Sequence, residues 1–80
     1  MLTQIDIDHF LQTPDGTVIA RGGFVQAVHA KLRITYQGYV TDIFAKPGVF
    51  WILDEHSGTP KMLDITDYEI TRARTSRVPQ

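Results

Sequence analysis

This 80-residue chain predicts a mainly β fold: a small SH3-like or Sm-like barrel, or a strongly bent antiparallel sheet of about five strands, with room for one short helix. Three observations lead there. "KLRITY" (31–36) alternates apolar and polar residues strictly, as a half-buried strand does. "VFWIL" (49–53) is apolar at every position and too short to make a good helix. Turn formers recur at short intervals, in "TPDG" (13–16), Gly22-Gly23, Gln37-Gly38, Lys46-Pro47-Gly48 and "SGTP" (57–60), which suits short strands with brief connections.

Taken in order, "QIDIDHFLQ" (4–12) reads as a strand because Ile5 and Ile7 alternate with Asp6 and Asp8. A short helix capped by Asp6 or Asp8 and stopped before Pro14 competes with it. "TPDG" then turns the chain into "TVIARGGF" (17–24). "FVQAVHAK" (24–31) has Phe24, Val25 and Val28 at helical spacing and equally suits a strand running into Leu32. Leu32, Ile34 and Tyr36 are expected on one side of the next strand, with Lys31, Arg33 and Thr35 on the other. Gln37-Gly38 supplies a tight turn or bulge, and "YVTDIFA" (39–45) continues as a second strand. "VFWIL" is expected to be a central strand covered on both faces. "DEHSGTP" (54–60) reverses the chain, since Pro60 cannot donate to a ladder, and "KMLDI" (61–65) returns. The alternation breaks at Thr66-Asp67, predicting a single helical turn before "YEITRA" (68–73). These elements make one domain over residues 1–71, followed by a basic tail, 72–80.

Composition narrows the function. A chain of this size buries only about 60–70% of the surface its unfolded form exposes, which leaves little room for a deep pocket. It has no cysteine, removing disulfides, thiolate nucleophiles and cysteine-based zinc sites together. No apolar run approaches the ~20 residues that span a bilayer, and Asp6 and Asp8 stand where a basic leader would be, so a soluble, cytoplasmic chain without a membrane partner is expected. The formal net charge is -1 and uneven. Asp42, Asp54, Glu55, Asp64, Asp67 and Glu69 face only Lys46 and Lys61, whereas Arg72, Arg74 and Arg77 form an acid-free end.

Few residue clusters carry chemistry. Asp6, Asp8 and His9 are of metal-ligand type, but on a strand His9 points away from the two carboxylates, so no metal and no cofactor is expected. Asp54, Glu55, His56 and Ser57 name the parts of a hydrolase, yet neighbours in one turn rarely attain the geometry from nucleophile to base to orienter, and nothing there excludes water. Arg21-Gly22-Gly23 is a lone "RGG", better suited to a turn than to RNA. The expectation is a protein that is not an enzyme. Tyr36, Tyr39, Phe44, Phe50, Trp51 and Tyr68 are many aromatics for so small a sheet, and those left outside the core suit contact with a partner.

"VQAVHAKLRITYQG" (25–38) followed by "GVFWILDEHSGTPKMLDITDYEI" (48–70) resembles the WYL domain of bacterial regulators, with Trp51-Ile52-Leu53 standing where that family has Trp-Tyr-Leu. The strand, turn and strand pattern of residues 26–71 is also similar to the Rof family, small Sm-like proteins that bind and inhibit the transcription terminator Rho. Both resemblances imply a small regulatory barrel, in transcription regulation.

Two functional expectations follow. The first is a binding module that docks on a protein partner, or on itself as a homo-oligomer, through Asp54, Glu55 and His56 at the hairpin tip with Trp51 and Tyr39 as anchors. Lysine at positions 54 and 55 is then expected to weaken binding and leave the fold intact. The alternative is a barrel that binds single-stranded nucleic acid through Lys31, Arg33, Arg72, Arg74 and Arg77.

Overall fold

Seven strands and the turns between them make up residues 9–73, the part of the chain that this computed structural model describes. Strands β1 (Phe10–Gln12) and β2 (Val18–Ala20) form a separate small hairpin. Strands β3 (Phe24–His29), β4 (Thr35–Phe44), β5 (Val49–Asp54) and β6 (Pro60–Asp64) follow as an antiparallel meander. The last strand, β7 (Tyr68–Ala73), returns to pair with β3, giving the order β6-β5-β4-β3-β7. No helix occurs among the described residues.

The connection from β6 to β7 forces this sheet to curl. In a flat sheet its two edges would lie four strand spacings apart, about 19 Å. Only Ile65, Thr66 and Asp67 link Asp64 to Tyr68, and such a link reaches about 14 Å at full extension. The corner is tied by Ala30 N–H donating to Asp67 O (2.9 Å) and Ile65 N–H donating to Gly48 O (3.0 Å). Among the described residues no ladder joins β6 to β7, so the expected closed barrel is not formed. The alternative expectation, a bent antiparallel sheet of five strands, is the one found.

Alternation assigns the two faces. Val25, Ala27, Val40, Ile43, Phe50, Ile52, Leu63 and Ile70 point inward and form one buried cluster, completed by Leu11 and Ile19 of the small hairpin. Each of these side chains other than Ala27 contributes roughly 1.5–3 kcal/mol relative to exposure. Among the described residues, no buried side-chain polar atom lacks a hydrogen-bond partner.

Four expectations need correcting. Lys31 to Ile34 is a turn rather than the start of a strand, and Leu32 and Ile34 are 65% and 45% exposed. Gln37 and Gly38 lie inside β4, and the bulge falls between Val40 and Asp42 instead. Strand β5 is covered on its inner face only, since Trp51 is half-buried and Leu53 is 46% exposed. The segment 65–67 is a turn in which the Asp64 carboxylate accepts from Thr66 N–H (2.9 Å) and Thr66 Oγ1–H (2.7 Å), a local bonding pattern that replaces the expected helical turn. Of the proposed tail, Arg72 and Ala73 belong to β7, while Arg74 and Arg77 lie outside the described residues, as do Ile5 to Asp8.

The β3–β4 turn is organised by His29. Its Nδ1 accepts from Lys31 N–H (3.1 Å) and Leu32 N–H (3.0 Å), and its ring meets Tyr68 edge-on at 5.0 Å. His29→Phe keeps the ring contact and removes the acceptor. It is expected to lower stability by about 1–2 kcal/mol in urea titration; an unchanged midpoint would show that the turn holds without Nδ1.

Candidate functional site

Opposed residues on antiparallel strands share a face, so the ladders can be read across the sheet. On the outer face one row runs Ala73, Phe24, Tyr39, Leu53, Pro60, with one residue from each of the five strands. The bulge beside Val40 then brings Asp42 opposite Trp51, which itself faces Met62. Beyond these, Phe44, Val49 and Asp64 line up. Tyr39, Leu53 and Met62 are 44%, 46% and 56% exposed, so this is an apolar band open to solvent. The Phe24 ring, 7% exposed, braces Tyr39 edge-on at 4.9 Å between centroids.

Charge is segregated on the same surface. Asp42, Asp64 and Glu69 occupy outer positions, and Glu55 follows β5 directly. Among the described strand residues, the two basic ones, Lys61 and Arg72, face inward positions, opposite Ile52 and Val25 respectively. Lys61 Nζ lies 5.4 Å from the centroid of the Tyr36 ring, a cation–π contact on that other face.

Two depressions flank the β5–β6 turn. One of about 240 Å³ is lined by Phe24, Tyr39, Leu53, Asp54, Glu55 and Gly58. The other, about 540 Å³ and more polar, is lined by Thr35, Gln37, Asp54, Glu55 and His56. Glu55 is the exposed carboxylate common to both, and its Oε1 accepts from Gln37 Nε2 at 3.4 Å.

Asp54 has a different place from the one expected of it. It is 4% exposed, and its carboxylate accepts from Ser57 N–H (3.1 Å) and Ser57 Oγ–H (2.7 Å), closing the turn that Gly58 completes at φ 74°. Burial pushes this carboxyl up, but hydrogen bonds from the Ser57 hydroxyl and from backbone amides outweigh burial and hold it below the ordinary carboxylate value. Asp54 therefore builds the tip, with its carboxylate engaged by Ser57 rather than held out to a partner. Lysine at 54 would bury an unpaired ammonium in place of this acceptor, so the expectation that the double lysine variant stays folded is withdrawn. Glu55 and His56 are exposed as expected, and Tyr39 and Trp51 share the outer face.

The residues expected to bind nucleic acid do not share one surface with these aromatics. Lys31 and Arg33 sit in the β3–β4 turn, and Arg72 is in register with Val25, on the opposite face from Tyr39 and Leu53. Reasoning from the sequence missed Phe24, Leu53, Pro60 and Met62. Their apolar character was visible, but only the register across strands shows that they adjoin. Among the described residues no group of three or more His, Asp or Glu side chains could hold a metal ion, and no helix is long and apolar enough to cross a membrane. Comparison with protein-family models, with curated proteins and with solved structures found no match to this chain.

Proposed function

We propose that this protein is a binding module without enzymatic activity of its own, which docks on a protein partner through the outer face of its sheet. The observation that carries this reading is the cross-strand row in which Tyr39, Leu53 and Pro60 stand open to solvent beside the buried Phe24 ring, with Asp42, Asp64 and Glu69 at other positions of the same face and Glu55 at its edge. Exposed aromatics and aliphatics packed side by side supply desolvation energy on binding, while the surrounding acids select the partner and speed its approach. The partner segment that fits is basic and apolar. A regulatory role, of the kind the resemblance to small regulatory barrels implies, is compatible with such a module.

Leu53→Lys tests the face with little cost to the fold, because the position is 46% exposed. The tagged wild type and the variant would each be used to capture proteins from native extract after nuclease treatment. The expected result is a specific protein retained by the wild type at least about tenfold more than by Leu53→Lys, a difference of about 1.4 kcal/mol. Loss of every partner on nuclease treatment, with RNA or DNA recovered beforehand, would favour Lys31, Arg33 and the arginine-rich end instead. Binding of that kind would also fall steeply as salt rises.

A further inference from the structure

The β3–β4 turn carries an unusual combination of features. Leu32 is 65% exposed, more than any other large apolar side chain among the described residues, and Ile34 is 45% exposed. Lys31 and Arg33 alternate with them. This is no loose loop. His29 Nδ1 accepts from the amides of residues 31 and 32, Arg33 N–H donates to His29 O, and His29 N–H donates to Ile34 O, the last two at 2.9 Å. Arg33 is the one non-glycine with positive φ (60°) among the described residues, a conformation that costs energy and persists only where its surroundings impose it. The chain thus holds a cationic, apolar knob rigidly in solvent, in a form that needs little further ordering to bind.

The complement of that knob is on the same molecule. The depression lined by Phe24, Tyr39, Leu53 and Glu55 offers an apolar floor with a carboxylate at its rim, and Asp42, Asp64 and Glu69 occupy outer positions of the same sheet. We propose that the knob of one copy of this chain seats Leu32 in this depression on a second copy, with Lys31 and Arg33 against Glu55 and the neighbouring acids. The proposal rests on the docking reading above and names one occupant for that face. Charge decides between two ways of pairing. Outer face against outer face would bring two surfaces carrying Asp42, Glu55, Asp64 and Glu69 together, whereas knob against face joins opposite signs. Within one copy the knob stays uncovered, as the exposure of Leu32 requires.

Sedimentation tests this with two variants and their mixture. Leu32→Glu destroys the knob and leaves the face; Leu53→Lys does the reverse. The wild-type mass is expected to rise with protein concentration and to fall back as salt is raised from about 0.05 to 0.5 M. Each variant alone should remain monomeric to concentrations at least about tenfold higher. An equimolar mixture should recover a complex of one chain of each, because one supplies the knob and the other the depression. Should Leu53→Lys lower the melting temperature, Glu55→Lys, past the end of β5, replaces it. A wild type that stays monomeric up to about 1 mM overturns the inference. So does association that Leu53→Lys abolishes and Leu32→Glu does not, or association that survives both. Loss of a captured protein on Leu53→Lys, with a monomeric wild type, would keep the docking reading and discard this occupant.

Discussion

Replacing Gly38 with alanine is expected to lower the melting temperature by at least about 12 °C, the largest effect of any small substitution in the sheet. A Cβ at this position would fall on the carbonyl oxygen of Leu53, 2.8 Å from the carbonyl carbon and 3.3 Å from Asp54 Cα. All three atoms are backbone, so no side-chain rotation relieves the clash, and β4 and β5 must separate at the end of their ladder, where Gly38 faces Asp54. Overpacking of this kind costs about 3 kcal/mol or more, against a total stability of roughly 4–12 kcal/mol for a chain of this length. Gly38→Val should not fold at 25 °C. Thermal unfolding followed by circular dichroism decides it, and an unchanged midpoint for Gly38→Ala would mean that the strands are not this close.

Asp54→Ala is the second large effect, with an expected loss of about 2–3 kcal/mol, because the Ser57 amide and hydroxyl lose a charged acceptor inside a tight turn. Acid should produce part of the same loss in the wild type. Asp54 titrates below its ordinary value in the folded protein, so its ionised form stabilises the fold above the unfolded value near ~3.9 and that contribution disappears as pH falls through the lower folded value. Asp15, which accepts from the Thr13 hydroxyl and from Thr17, and Asp64, which accepts from Thr66, are shifted in the same direction. The melting temperature is therefore expected to drop between about pH 4 and pH 2. Asp54→Asn keeps the shape without the titration, so its melting temperature should fall less over that interval. Parallel curves for the two proteins would remove Asp54 from the acid response.

These substitutions also mark where the sequence was readable. The reversal at 54–60 was legible because Ser57, Gly58 and Pro60 each favour a turn for a local reason, and the structure places the β5–β6 connection there. The same local reasoning misplaced Gly38. A glycine between apolar runs reads as a turn, yet this one is needed for the approach of a strand that begins eleven residues later, a fact of pairing rather than of local preference. Leu32 and Ile34 misled in the opposite way. They alternate with Lys31 and Arg33 as a half-buried strand would, and only the bonds to His29 show that the alternation belongs to a turn. Of the candidate site, Tyr39, Trp51, Glu55 and His56 were legible as aromatic or acidic residues near a hairpin. Their neighbours Phe24, Leu53 and Met62 were not: the β3–β4 and β5–β6 registers set Phe24 beside Tyr39 and Met62 beside Trp51, and a one-residue bulge beside Val40 decides which side chains of β4 and β5 stand opposite one another. Asp54 looked like a surface acid by composition and is buried by its bonds to Ser57.

Hydroxyl-radical footprinting of the complex retained after nuclease treatment tests the docking face most directly. Met62, Trp51 and Tyr39 report on the outer face, while Tyr36 and Tyr68, packed against the core from the inner side, serve as internal controls. Methionine and aromatic side chains are oxidised readily enough for each to be followed separately. The account predicts that labelling of Met62 and Tyr39 falls several-fold in the complex and that labelling of Tyr36 and Tyr68 does not change. Unaltered labelling of Met62 and Tyr39 in a complex that protects another surface would contradict it.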